Sequence, residues 1–201
     1  MRMFLASTAA ATAFALASPA LAQETFASKG DFAFAADRLT GIYLFEQGDY
    51  ESTVFGLLQT PTGVNSLQMT RIGFDFFPIA RLSIGGSLSY WSRKTDPDGN
   101  GPIPSGTAKE LMIAPRVGYA IPITRAFGFW PRGGFTYLNN KQGGAESTGE
   151  WALTFEAQFY ASPAPHFAFI FGPVLDLGFA GDANDRPHNF GFLTGGILGW
   201  I

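Results

Sequence analysis

Residues 110–137 run Glu-Leu-Met-Ile-Ala-Pro-Arg-Val-Gly-Tyr-Ala-Ile-Pro-Ile-Thr-Arg-Ala-Phe-Gly-Phe-Trp-Pro-Arg-Gly-Gly-Phe-Thr-Tyr. Two alternating stretches flank a short turn containing proline, which is the pattern of a β-hairpin. On the first, Leu111, Ile113, Val117, Tyr119 and Ile121 share one face, opposite Glu110, Met112, Ala114, Arg116, Gly118 and Ala120. On the second, Phe127, Phe129, Phe135 and Tyr137 oppose Gly128, Trp130, Arg132, Gly134 and Thr136. Each strand has a greasy face and a small-residue face with an arginine near its middle. Fold and function both turn on which face meets lipid, water or protein.

The same alternation recurs on either side. Asp31–Glu46 reads as a first strand whose phase slips near Asp37-Arg38, where a bulge is expected. Residues 47–65 form a long connection, of which Thr53–Leu58 is apolar enough to prolong a hairpin. Ser66–Phe77 and Arg81–Trp91 are strands two and three around a turn at Pro78-Ile79-Ala80, and the hairpin quoted above supplies strands four and five. Gly149–Ala161, His166–Phe179 and Asn189–Ile201 complete a set of eight. In the last, Phe190, Phe192, Leu198 and Trp200 are read on one face. The connections alternate long and short, so an up-and-down meander collects three proline turns at one end and four polar loops at the other. Pro115, Pro131 and Pro173 fall mid-strand, where bulges or kinks are expected.

Bulk composition narrows the class. There is no cysteine, hence no disulfide framework and no thiolate metal site. The formal charge of −3 argues against nucleic acid. Charged residues are 14% of the chain against the ~25% of soluble domains, and 21 residues are Phe. Residues 1–22 read as a signal peptide: Arg2, the apolar Met3–Leu16, then the cleavage site Ala20-Leu21-Ala22. Residues 23–30 are a short polar lead and 31–201 one β-barrel domain. After Gln23 no apolar run is long enough for a membrane helix.

Two architectures fit eight such strands: a soluble lipocalin-like barrel holding a small apolar ligand, or a transmembrane barrel with its apolar face toward lipid. The charges favour the second. The lysines after the signal (Lys29, Lys94, Lys109, Lys141) fall in the lead, loops or loop edges. The mid-strand charges are Arg71, Arg116 and Arg132 against Asp75, Glu156 and Asp176, all on the small-residue face. A narrow interior demands such a balance, because an unpaired buried charge costs several kcal/mol. Glu156 and Asp75 are therefore expected to contact Arg116 and Arg132. The aromatics Tyr43, Tyr90, Trp91, Tyr119, Tyr137, Trp151, Tyr160 and Trp200 near strand ends are candidates for interfacial girdles.

An export signal, eight alternating strands, short turns at one end, long loops at the other and an aromatic-rich last strand resemble the small outer-membrane barrels of the OmpA/OmpX type. The resemblance covers Asp31–Ile201 and is architectural. It implies residence in the bacterial outer membrane, contact with lipopolysaccharide, and insertion by the barrel-assembly machinery. That machinery reads a terminal aromatic, and here Trp200 stands one place before the end.

Chemistry is sparse. A non-enzymatic, monomeric barrel with a charge-filled interior and long outward loops is the leading reading, serving structure, adhesion or surface interaction. A lipid-modifying enzyme needs a His, a Ser and an acid. His166 follows the Ser-Pro-Ala-Pro turn at the wrong end, and His188 lies near Asp185 without a serine in its loop. Asp96, Asp98 and Asn100 match half of a calcium loop, but the twelfth position is Thr107 rather than Glu. No cofactor motif is present.

Overall fold

The computed structural model describes residues 26–57, 66–95, 106–142, 146–182 and 186–201. The signal segment, the half calcium loop at Asp96–Asn100 and Asp185 lie outside the described residues. In chain order the strands are β1 (Phe32–Gln47), β2 (Tyr50–Leu57), β3 (Arg71–Ile79), β4 (Leu82–Thr95), β5 (Gly106–Tyr119), β6 (Ile121–Pro122), β7 (Phe127–Gln142), β8 (Thr148–Ala164), β9 (Phe167–Gly181) and β10 (His188–Trp200). All pairings are antiparallel between chain neighbours, and β10 closes on β1. With β6 continuing β5, and β2 and β3 together forming one broken stave, the wall is a closed eight-stranded barrel. Backbone bonds between Phe32 and Ile201 seal the two termini together beside the short turns.

The burial pattern is inverted relative to a soluble protein. Outward side chains are apolar and exposed, among them Phe34, Phe74, Ile113, Val117, Phe135, Phe155 and Phe169. Inward side chains are charged, polar or small, and they are buried. Period-two alternation produces both faces at once, and closure of β10 on β1 removes most of the edges that a membrane would not tolerate. Among the described residues β2 pairs with β1 alone, and the Ser89–Thr95 end of β4 with β5 alone.

Several expectations change. The connection after β1 is a two-residue turn at Gly48–Asp49, and β2 returns along the upper half of β1. Beyond Leu57, a 3₁₀ turn at Ser66–Gln68 places Leu67, Gln68 and Met69 inside the barrel. β3 resumes the stave beside the lower half of β1. Pro78 and Ile79 belong to β3, and the turn falls at Ala80-Arg81. Arg81 takes a left-handed φ of 74° there.

Pro115 and Pro131 sit outward in unbroken registers, Gly86 facing Pro115 and Ala157 facing Pro131, so neither position bulges. Pro173 does have one, on the neighbouring strand. Between Gly191 and Thr194 the β9–β10 register slips, so Phe192 and Leu193 both face outward opposite Pro173. A residue without an N–H is thereby matched to the place where the ladder is already interrupted. The slip inverts the phase beyond it, and Leu198 and Trp200 turn inward rather than out. Of the expected girdle, Tyr90, Tyr119 and Trp151 are exposed on the outer face, whereas Tyr43, Tyr160 and Trp200 are interior. Trp91 packs against an interior cluster.

The filled lumen as candidate functional site

Three layers fill the barrel from the short-turn end to the long-loop end. The lowest is aromatic. Phe26, from the lead, inserts its ring among Phe77, Trp130, Tyr160 and Trp200, with centroid separations of 5.3, 5.2, 4.9 and 5.3 Å and edge-on geometry in each case. Edge-to-face contact is the favoured arrangement for such rings. The lead is held by backbone bonds from Gly30 N to Phe77 O and from Arg81 N to Ala27 O, both 2.8 Å. The lead is therefore part of the core and not a polar tail.

The middle layer is ionic, and β1 makes it. Arg38 has a φ of 58°, and the β1–β10 register shifts between Ala36 and Thr40. The bulge sends both Asp37 and Arg38 into the lumen, each 2% exposed. They join Arg71, Asp75, Arg116, Arg132, Glu156 and Asp176, all buried, so four guanidinium groups face four carboxylates. Arg116 is the hub. It donates to Asp75 Oδ2 at 2.6 Å and Asp37 Oδ2 at 2.7 Å, with Glu156 Oε2 at 3.4 Å. Arg132 donates to Asp37 Oδ1 at 3.1 Å. Its Nε stands 2.8 Å from Glu156 Oε2 as an ion pair without hydrogen-bond alignment. Asp37 therefore bridges two like-charged neighbours whose proximity would otherwise be unfavourable.

Arg38 grips Asp176 with both terminal nitrogens, at 2.6 and 3.0 Å. Asn189 and Thr154 complete the shell around that carboxylate at 2.9 and 2.8 Å. Arg71 is the least compensated cation. Its nearest carboxylate oxygen is 4.0 Å away, and it leans instead on Leu67 O at 2.9 Å and Thr136 Oγ1 at 3.3 Å. Space for all this comes from the small residues opposite. A Cβ on Gly73 would stand 2.6 Å from both Arg116 Nη2 and Asp37 Oδ2. A void of about 10 Å³ remains among Arg71, Ser87, Arg116, Arg132 and Glu156, which is room for roughly one water. Arg132 also lies over the Trp130 ring at 4.4 Å, which joins this layer to the aromatic one.

The upper layer is apolar. Leu67 and Met69 pack with Met112, Leu138, Ala152 and Trp91. Leu67 O accepts from both Arg38 and Arg71, so the inserted turn is anchored onto the ionic layer. Glu110 is buried near this end and accepts from Asn140 Nδ2 at 3.3 Å.

Among the described residues the histidines do not assemble a triad. His166 sits in the turn before β9 with a φ of 58°, its Nδ1 3.0 Å from Trp200 O. His188 lines an outer cleft of about 700 Å³ with Glu46, Glu51 and Ser52. Opposed residues share a face, so Ser52, facing the buried Phe45, belongs to the inward row. His188, facing Glu46, belongs to the outward one. Base and hydroxyl therefore point to opposite sides of the sheet. Among the described residues no group of three or more His, Cys, Asp or Glu is placed to hold a metal.

The alternation made six of the eight charges of the ionic layer readable. Asp37 and Arg38 were not, because two consecutive residues cannot share a face in a regular strand. Asp37 keeps the inward phase of Ala33 and Ala35, and Arg38 is the residue that the bulge adds to that face.

Comparison with known proteins agrees with this geometry. No family model matches the chain, and no curated protein does. Among solved structures, Neisserial surface protein A is similar with a TM-score of 0.58 at 11% identity, over 85% of this chain and 99% of that one. Ail, the attachment invasion locus protein of Yersinia pestis, in complex with the heparin analogue sucrose octasulfate, is similar with a TM-score of 0.52 at 11% identity, over 86% and 99%. At such identity the likeness is one of fold, and the fold is that of the eight-stranded outer-membrane barrels.

Proposed function

We propose that the chain is a non-enzymatic, monomeric protein of the bacterial outer membrane. It holds a sealed barrel in the bilayer and presents its long-loop end to the outside for surface interaction. The observation that carries this reading is the inverted burial. Arg71, Asp75 and Asp176 are at most 1% exposed, while Phe55, Ile72 and Phe192 are 60% exposed or more. In water such an exterior would aggregate; in lipid it is the required solvent-matched surface. A ligand-carrying soluble barrel needs the opposite polarity and an open interior, and this interior is filled by side chains. The ionic layer acts as a plug that pins strand register, since a one-residue slip would turn its charges toward lipid.

Export by the N-terminal signal and insertion by the barrel-assembly machinery complete the reading. The outward partner is outer-leaflet glycolipid or a surface glycan; Ail binds a sulfated sugar analogue, which supports that class. Membrane fractionation followed by electrophoresis with and without boiling tests the reading. The folded chain is expected in the outer-membrane fraction, with a band that shifts on boiling. Recovery in the soluble fraction without detergent would refute it, and large stable conductance in a planar bilayer would refute the sealed lumen.

A further inference from the structure

The outward face of β4, β5 and β7 differs from the rest of the barrel at its long-loop end. Lys109 on β5 lies directly opposite Lys141 on β7. Both side chains are exposed on the lipid-facing side, as is Lys94 on β4, whose partner Thr107 is two places from Lys109. Directly opposed side chains have Cβ atoms about 5 Å apart, and like charges at that spacing are destabilising. No outward carboxylate on the described parts of these strands offsets Lys109 or Lys141. The outward residues of β4 are Leu82, Ile84, Gly86, Leu88, Tyr90, Ser92 and Lys94, and those of β5 and β7 likewise include neither Asp nor Glu. Glu46, Asp49 and Glu51 lie on the β1–β2 hairpin, Glu150 and Asp182 on the β8–β9 side, and Glu146 beyond the end of the β7–β8 ladder. No ion pair among the described residues relieves Lys109 or Lys141.

Height identifies what does. One or two outward places below the lysines stand Tyr90, Tyr137 and Trp151, the last two in ring contact at 4.7 Å. Outward aromatics at that level mark the boundary between hydrocarbon and head groups. The lysines therefore stand at head-group height and point sideways into the plane of the bilayer, not upward into the medium.

We propose that Lys109 and Lys141, flanked by Lys94, bind the phosphate groups of outer-leaflet glycolipid. The inference rests on the outer-membrane reading and assigns it a residue-level partner site. An ammonium pair that costs stability alone becomes favourable once a doubly charged phosphate sits between its members, through charge-assisted hydrogen bonds. A lipid source fits better than a free glycan because the site opens laterally.

The test compares the wild-type barrel with Lys109→Ala/Lys141→Ala and Lys109→Glu/Lys141→Glu variants in lipid nanodiscs. Native mass spectrometry reads retention of bisphosphorylated lipid A against its dephosphorylated form. The wild type is expected to favour the phosphorylated lipid by about tenfold or more, the alanine pair to lose that preference, and the glutamate pair to retain neither form. Unchanged preference in the glutamate pair would overturn the proposal, as would equal retention of both lipids by the wild type. Displacement of the lipid by a soluble sulfated oligosaccharide at equal concentration would overturn the lipid source. A normal band shift on boiling shows that each variant is folded, so lost retention with a normal shift supports the site. A wild type that lacks the shift sinks the barrel reading itself.

Discussion

Arg116 is the residue on which the interior depends most. Three carboxylates stand within hydrogen-bonding reach of its guanidinium: Asp75, Asp37 and Glu156. Arg116→Met would leave Asp75 without its main counter-charge and Asp37 and Glu156 with Arg132 as their nearest cation, in a space that water barely enters. Breaking a buried pair in this way costs about 3–5 kcal/mol. Arg71→Met removes mainly neutral hydrogen bonds, to Leu67 O and Thr136 Oγ1, and should cost about 1–3 kcal/mol. The ordering is the prediction, and urea unfolding in detergent micelles reads it from the shift in midpoint. Equal shifts would mean that the network does not have its hub at Arg116. Adding Asp75→Asn to Arg116→Met should recover part of the loss, because one stranded charge goes with it. Lysine is a poorer replacement than its charge suggests, since a single ammonium cannot fork between Asp75 and Asp37.

At the scale of elements, the lead and the two bulges decide the interior. Phe26 is the one ring of the aromatic layer that does not come from the wall, so Phe26→Ala tests whether the lead is a docked element. Truncating a buried Phe costs about 3–5 kcal/mol where the surroundings cannot collapse. Here the loss should be local. Residues 27–30 are expected to exchange their amide hydrogens much faster, and Trp130 and Trp200 to become open to an aqueous quencher, while exchange in β4–β8 stays slow. Slower or unchanged exchange in the lead would show that its backbone bonds suffice without the ring.

The same elements show what a sequence does and does not disclose. Strand number, direction and the polarity of each face follow from period-two alternation, and β4, β5 and β7 are legible from it almost residue by residue. Phase is not legible across a bulge. Leu198 and Trp200 change sides because the count slips by one at Phe192-Leu193. Around Asp37-Arg38, by contrast, four residues of β1 stand against two of β10, so the phase returns and Tyr43 stays inward with Ala33 and Ala35. Nor does alternation describe the inserted turn at Leu67–Met69 or the lead, whose burial is set by the space left in the lumen after the strands have closed.

For the whole molecule, what matters is that the three layers lie in series along one axis. Passage of an ion is then governed by the tightest layer, and the others add to the barrier without replacing it. Removing the aromatic stopper by Phe26→Ala opens the lower mouth onto the ionic layer. Thinning the upper layer by Met69→Gly opens the other mouth onto the same layer. Each variant, and the two combined, should remain silent in a planar bilayer, because the side chains of Arg116, Arg132, Asp37 and Glu156 still occupy the middle. Adding Arg116→Ala and Arg132→Ala removes two of the four cations of the ionic layer and leaves its four carboxylates. The resulting path is wider and carries about two excess negative charges, which attract cations in a low-dielectric lumen. Small cation-selective steps are expected from the fourfold variant, read from the sign of the reversal potential in a potassium chloride gradient. Conductance in Phe26→Ala alone would place the seal in the aromatic layer instead. Anion selectivity in the fourfold variant would mean that Arg38 and Arg71, and not the carboxylates, dominate the field along the axis.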